Sequence, residues 1–156
     1  DYCCWAYTVP RSASGIGHDN YHTGGILDGL FDTMRHTGEW AHRDIYRRGM
    51  EYYRENLFEP DGAPRLLSNR KRPHDIHGSA QGVLSFCKLA RIDPSALPQA
   101  ITIARWALDE MQAPSGGFYY RKHTFFTRRE SLMRWNNSWM AWALSELLLT
   151  LEERKE

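Results

Sequence analysis

The stretch Asp75-Ile76-His77-Gly78-Ser79-Ala80-Gln81-Gly82-Val83-Leu84-Ser85-Phe86-Cys87-Lys88-Leu89-Ala90-Arg91 decides the fold. Asp75 is a good N-cap, because a short carboxylate accepts from the unpaired N–H groups of a first helical turn. From Ser79 to Ala90 the residues are apolar or small on most faces. A helix of that kind is surrounded by protein.

Outward from it, four more helices are expected. One runs from Thr23 to His36 and stops before Gly38, a C-terminal glycine. The next runs from Glu39 to Leu57, with Ala41, Ile45, Gly49, Tyr52, Tyr53 and Leu57 on one side and Arg43, Arg47, Glu51 and Glu55 on the other. Glu59-Pro60-Asp61-Gly62 is a turn, since Pro presets φ and Gly accepts a positive one, and the stretch to Pro73 reads as a short hairpin or extended loop. After the central helix, Asp93-Pro94 breaks the chain and starts a helix whose face is Ala100, Ala104, Ala107, Leu108 and Met111. Pro114-Ser115-Gly116-Gly117 ends it. Phe118-Tyr119-Tyr120 and Thr124-Phe125-Phe126-Thr127 then read as two short aromatic strands around Lys122-His123. A fifth helix runs from Trp135 to Glu152.

The helices alternate in character. The second and fourth are one-sided, whereas the first, third and fifth are apolar or small on most faces, which describes an outer and an inner ring of antiparallel hairpins. Asn20-Tyr21-His22, Asp75-Ile76-His77 and Trp135-Asn136-Asn137 each precede an inner helix, roughly 55–60 residues apart, as one hairpin per repeat requires. The expected fold is all-α, with short β-hairpin insertions. Five helices make an open arc, and a first residue that is Asp makes residues 1–156 the expected C-terminal portion of one longer domain.

Composition excludes several classes. With 42% hydrophobic residues the chain has ample material for a core and is not disordered. A net charge of +1 from 20 basic and 19 acidic residues argues against a nucleic-acid partner. The dense basic stretch from Arg65 to Arg72 reads as a solvated loop face. No apolar run approaches the ~20 residues that span a bilayer, and no signal segment is present in the stretch given. Cys3, Cys4 and Cys87 make no disulfide or metal framework and read as free thiols, which points to a cytoplasmic location.

Four segments carry a resemblance: Asp19-Asn20-Tyr21-His22-Thr23-Gly24, then Pro73-His74-Asp75-Ile76-His77-Gly78-Ser79-Ala80-Gln81, then Gly117-Phe118-Tyr119-Tyr120-Arg121-Lys122, then Met133-Arg134-Trp135. From Asp19 onward the chain resembles a bacterial family associated with polysaccharide-biosynthesis loci, within the six-hairpin glycosidase-like (α/α) toroid class. The resemblance implies a partial (α/α) toroid, a missing N-terminal portion of the same ring as partner, and a sugar or polysaccharide as ligand. That class hosts hydrolases, lyases and epimerases alike, so the fold does not choose the reaction.

In such a ring the inner-helix N-termini converge on one pocket. Asp19, Asn20, Tyr21 and His22 lie at one start, His74, Asp75, His77 and Gln81 at a second, and Arg134, Trp135, Asn136 and Asn137 at a third. Aromatic rings with polar edges beside fixed hydrogen-bonding groups suit a sugar. His22 and His77 are the candidate acid and base, with Asp75 to orient a histidine. Asn20, Tyr21, Gln81, Tyr119, Tyr120, Arg134, Trp135, Asn136 and Asn137 are candidate substrate contacts. Asp19 and Asp75 are also natural helix caps, and Trp139 and Trp142 read as core. His22, His74 and His77 lack metal-ligand spacing, so neither metal nor other cofactor is expected. Hydrolysis needs two flanking carboxylates. The Asn, His, Tyr and Arg set fits proton abstraction from carbon somewhat better, and non-catalytic glycan binding or assembly is the other reading.

Overall fold

The computed structural model describes residues 5, 6, 8, 10–15 and 17–155. Cys3 and Cys4 lie outside the described residues. Five helices carry the architecture: α1 (Asn20–Thr37), α2 (Arg43–Leu57), α3 (Ile76–Ala90), α4 (Leu97–Met111) and α5 (Ser138–Glu152). A small antiparallel sheet joins β1 (His74–Asp75), β2 (Arg121–Lys122) and β3 (Thr127–Arg128), with His74 opposite Lys122 and Lys122 opposite Thr127. The chain is thus mainly helical, as expected, with a third strand beyond the expected pair and both hairpin strands shifted toward its charged residues. No helix among the described residues is long and apolar enough to cross a membrane.

The central helix behaves as its sequence dictates. All of α3 except Lys88 is buried, and it packs against α1, α4 and α5. Close approach is achieved by removing side chains. A Cβ on Gly24 would meet Gln81 Cγ at 2.5 Å and Tyr53 Oη at 2.7 Å, and one on Gly82 would meet the Phe58 ring at 2.5 Å. Phe31, Tyr46, Tyr53, Phe86, Leu27 and Ile103 fill the space between helices with essentially no exposure.

Side-chain caps explain where α1 and α3 begin. The Asp19 carboxylate accepts from His22 N–H at 2.8 Å, so α1 starts at Asn20 and not at Thr23. Gly38 closes α1 at φ 74°. No side chain caps α2, which starts only at Arg43. Its buried stripe is Tyr46, Gly49, Met50, Tyr53 and Leu57: Gly49, Tyr53 and Leu57 are buried as expected, while Ala41 and Ile45 are exposed and Tyr46 and Met50 take the core instead.

Two expectations about burial fail. α1 and α5 are not enclosed: α1 buries one face through Thr23, Gly24, Leu27, Phe31 and Met34, and α5 buries only Met140, Ala143, Leu147 and Thr150. Trp142, Leu148 and Leu149 of α5 are 53%, 62% and 54% exposed. An apolar composition states what a helix tolerates; the neighbours present decide what is covered. The third repeat also differs from the other two, since α5 follows a π-helical turn over Met133–Asn137 with no side-chain cap.

Candidate functional site

The loop after α2 builds one wall of a cleft. Gly62, at φ 94°, closes the turn by donating to the Glu59 carbonyl. The returning chain lies along the start of α1, where Asn20 N–H donates to the Leu66 carbonyl and Ser68 N–H to His18. β1 supplies the opposite wall and caps α3 through Asp75, which accepts from His77 N–H at 3.0 Å. A cleft of about 290 Å³ opens between these starts, lined by Asp19, Asn20, Tyr21, His22, Arg65, Leu66, Asp75, His77, Gly78, Arg121 and Trp135.

The two caps set the side-chain directions. Tyr21 and His77 each stand two residues past a capping aspartate, and their rings meet at 4.1 Å between centroids. His22 stands three past its cap, a further ~100° around the helix, and its side chain is 54% exposed. The two histidines therefore share the cleft without being equivalent. His77 sits 4.3 Å from the Trp135 ring and 4.4 Å from Trp139, is 2% exposed, and has neither ring nitrogen hydrogen-bonded. Burial, only partly offset by Asp75, pushes its pKa down to about 4, so the ring is neutral at pH 7.

His22 is held differently. Its Nδ1 lies 2.9 Å from Asp19 Oδ2, so in the neutral ring the Nδ1–H faces the carboxylate and Nε2 is the basic nitrogen. The expected orienting acid was Asp75, but it is committed elsewhere. Arg121 Nε donates to Asp75 Oδ2 at 2.7 Å and Trp135 Nε1 to Oδ1 at 3.3 Å, besides the cap.

Of the expected contacts, Asn20, Tyr21 and Trp135 line the cleft with His22, Asp75 and His77. Asn20 is spent on structure, donating to the Leu57 carbonyl and accepting from Tyr53 Oη. Six others lie away from it. Gln81 is more than a turn into α3 and bonds Asp28 and Ser85 at the α1 contact. Asn136 and Asn137 tie the turn before Phe118 to the start of α5. Tyr120 lies between Arg121 and Arg128, Tyr119 lies under Arg129, and Arg134 is exposed on the π-helical turn. His74 faces the other side of β1, donating from Nδ1 to the Pro64 carbonyl, so the three histidines do not gather.

Sequence reasoning missed Arg65, Leu66 and Arg121 as lining residues. Arg65 sat in a stretch read as solvated, and only the loop's return past α1 brings it inward. Among the described residues no cluster of three or more His, Cys, Asp or Glu has the geometry to hold a metal ion. In comparisons with known proteins, no family model matches the chain, and no curated protein matches it significantly.

Proposed function

We propose that this chain is part of a bacterial carbohydrate-active protein, that its helices form an arc of an (α/α) toroid, and that a sugar ring occupies the cleft between the starts of α1 and α3. The observation that carries the reading is the pairing of an oriented imidazole with aromatic surface: His22 on Asp19 stands beside Tyr21, whose ring lies 6.1 Å from that of the 38% exposed Trp135. Tyr and Trp faces take the apolar side of a pyranose. Arg65 and Arg121 supply donors for its oxygens.

Proton transfer fits the cleft better than two-carboxylate hydrolysis. Asp19 is engaged by a helix N–H and by His22, and Asp75 by a helix N–H, Arg121 and Trp135. Neither is placed as a protonated acid or a nucleophile. His22 is the base of this reading, and His77, neutral and enclosed, shapes the floor. If the cleft only binds glycans, the rings matter and His22 does not.

The test is titration of wild type, Trp135→Ala and His22→Gln with panels of neutral and acidic oligosaccharides, followed by turnover of whatever binds. Trp135→Ala is expected to weaken binding by about tenfold or more, the equivalent of ~1.4 kcal/mol of lost ring contact. His22→Gln is expected to bind normally and lose at least about a hundredfold in turnover. A folded Trp135→Ala protein with undiminished binding, or a chain that binds no glycan, refutes the site. Full turnover by His22→Gln refutes the base.

A further inference from the structure

Charge is segregated along this nearly neutral chain. Residues 65–74 and 117–135 hold nine of its 20 Lys and Arg but one of its 19 Asp and Glu. The fold brings the two segments together, since His74 pairs with Lys122 in the sheet and Arg72 Nη1 donates to the His123 carbonyl at 3.1 Å. Neighbouring acids neutralise part of the excess: Glu59 pairs with Lys71 and Arg65, Asp75 with Arg121, Glu110 with Lys122 and Glu130 with Arg128. Among the described residues Arg70, Arg72, Arg129 and Arg134 have no carboxylate within ion-pair distance.

Apolar rings project from the same place. The hairpin between β2 and β3 turns through residues 123–126, closed by His123 N–H to the Phe126 carbonyl at 2.8 Å. Phe125 at its tip is 95% exposed, and Phe126 is 59% exposed although its ring stacks on His123. Fully exposed Phe at a hairpin tip makes no folded-state contact that would account for it. With the unpaired Arg72 bonded to the His123 carbonyl of the same turn and Arg129 directly after β3, it has the chemistry of an interfacial anchor: rings enter the acyl boundary while cations meet anionic headgroups.

We infer that the β2–β3 hairpin and the adjoining 65–74 loop dock this protein on an anionic lipid surface, with Phe125 and Phe126 inserted and Arg70, Arg72, Arg129 and Arg134 on the headgroups. This surface is separate from the cleft's ring contacts, and it stands whether or not the cleft binds sugar. Lipid fits better than an acidic glycan, because Phe125 offers a glycan no hydrogen-bonding edge beside its face.

Co-sedimentation of the chain with vesicles tests it. Binding is expected to vesicles of phosphatidylcholine with phosphatidylglycerol, not to phosphatidylcholine alone, and to weaken as salt rises. Phe125→Ser with Phe126→Ser is expected to weaken binding more than about tenfold, and Arg129→Ala with Arg134→Ala by a similar factor, at roughly fivefold per cation. Phe125→Ser alone, at a side chain with almost no contacts, serves if the double variant unfolds. Equal binding to neutral vesicles, or indifference to the Phe changes in folded protein, overturns the inference. So does salt-sensitive binding to dextran sulfate with none to vesicles, which assigns the surface to polyanionic glycans.

Discussion

His77, buried, and Asp28, mostly buried, are ionisable groups whose pKa values are displaced in opposite directions. His77 falls to about 4, and Asp28, shut between α1 and α3 beside Gln81, Ser85 and Lys88, rises to about 6, desolvation being the largest cause in both. Unfolding returns them to their ordinary 6.5 and 3.8. Between pH 6.5 and 4 the unfolded chain binds a proton on His77 that the folded protein refuses, so acidification destabilises. Asp28 does the reverse: its contribution is complete below pH 3.8 and is lost as pH rises through about 6. Each effect is worth about 3 kcal/mol at 1.36 kcal/mol per unit, so the two nearly cancel. His74, also lowered, adds to the His77 side. Urea midpoints at pH 7, 5.5 and 4 should show the Asp28→Asn protein losing stability on acidification more steeply than wild type. The His77→Gln protein should gain it. Three parallel profiles would show that neither group is displaced. At this scale the sequence revealed that His22, Asp75 and His77 meet, because helix starts converge. It concealed which histidine is enclosed, since one residue of register separates the exposed His22 ring from the buried His77 ring.

At the scale of elements, Asp75 joins three of them: it caps α3, pairs with Arg121 of β2 and accepts from Trp135 of the π-helical turn. The cap was legible from Asp75 standing before an apolar run. The other two bonds were not, because they span 46 and 60 residues and depend on how the hairpin returns. Substitution separates the contributions. Asparagine keeps the cap and the Trp135 acceptor, so Asp75→Asn should cost about 1 kcal/mol, as expected for the partly buried ion pair it removes. Asp75→Ala loses the cap, the ion pair and the Trp135 bond together and should cost about 2 kcal/mol in chemical denaturation. Equal costs would mean that the cap contributes nothing and that α3 is held by packing alone. The helix boundaries carry the same lesson. α1 began where a cap stood, whereas α2, without one, began four residues later than its apolar pattern suggested.

For the whole molecule, the sequence separated an enclosed helix from exposed ones only for α3, whose small residues admit neighbours on every side. α1 and α5 have the composition of enclosed helices and the exposure of edge helices. Large apolar side chains stand among their bare positions: Ile26 on α1 is 41% exposed, and Trp142, Leu148 and Leu149 lie on the outer side of α5. Surfaces of this kind mark contacts with other protein when they are contiguous, and in an (α/α) ring the next hairpin would cover them. This chain should therefore bind a hydrophobic dye in its folded state and self-associate as concentration rises. Leu148→Glu with Leu149→Glu should reduce both effects while shifting the melting temperature little, because neither side chain reaches the buried face of Met140, Ala143 and Leu147. Met140→Ala, at a fully buried position, should instead cost about 2–5 kcal/mol. Dye binding unchanged by the paired glutamates would place the exposed apolar surface elsewhere. A monodisperse monomer that binds no dye at all would mean that α5 needs no neighbour, and the arc reading would fall with it.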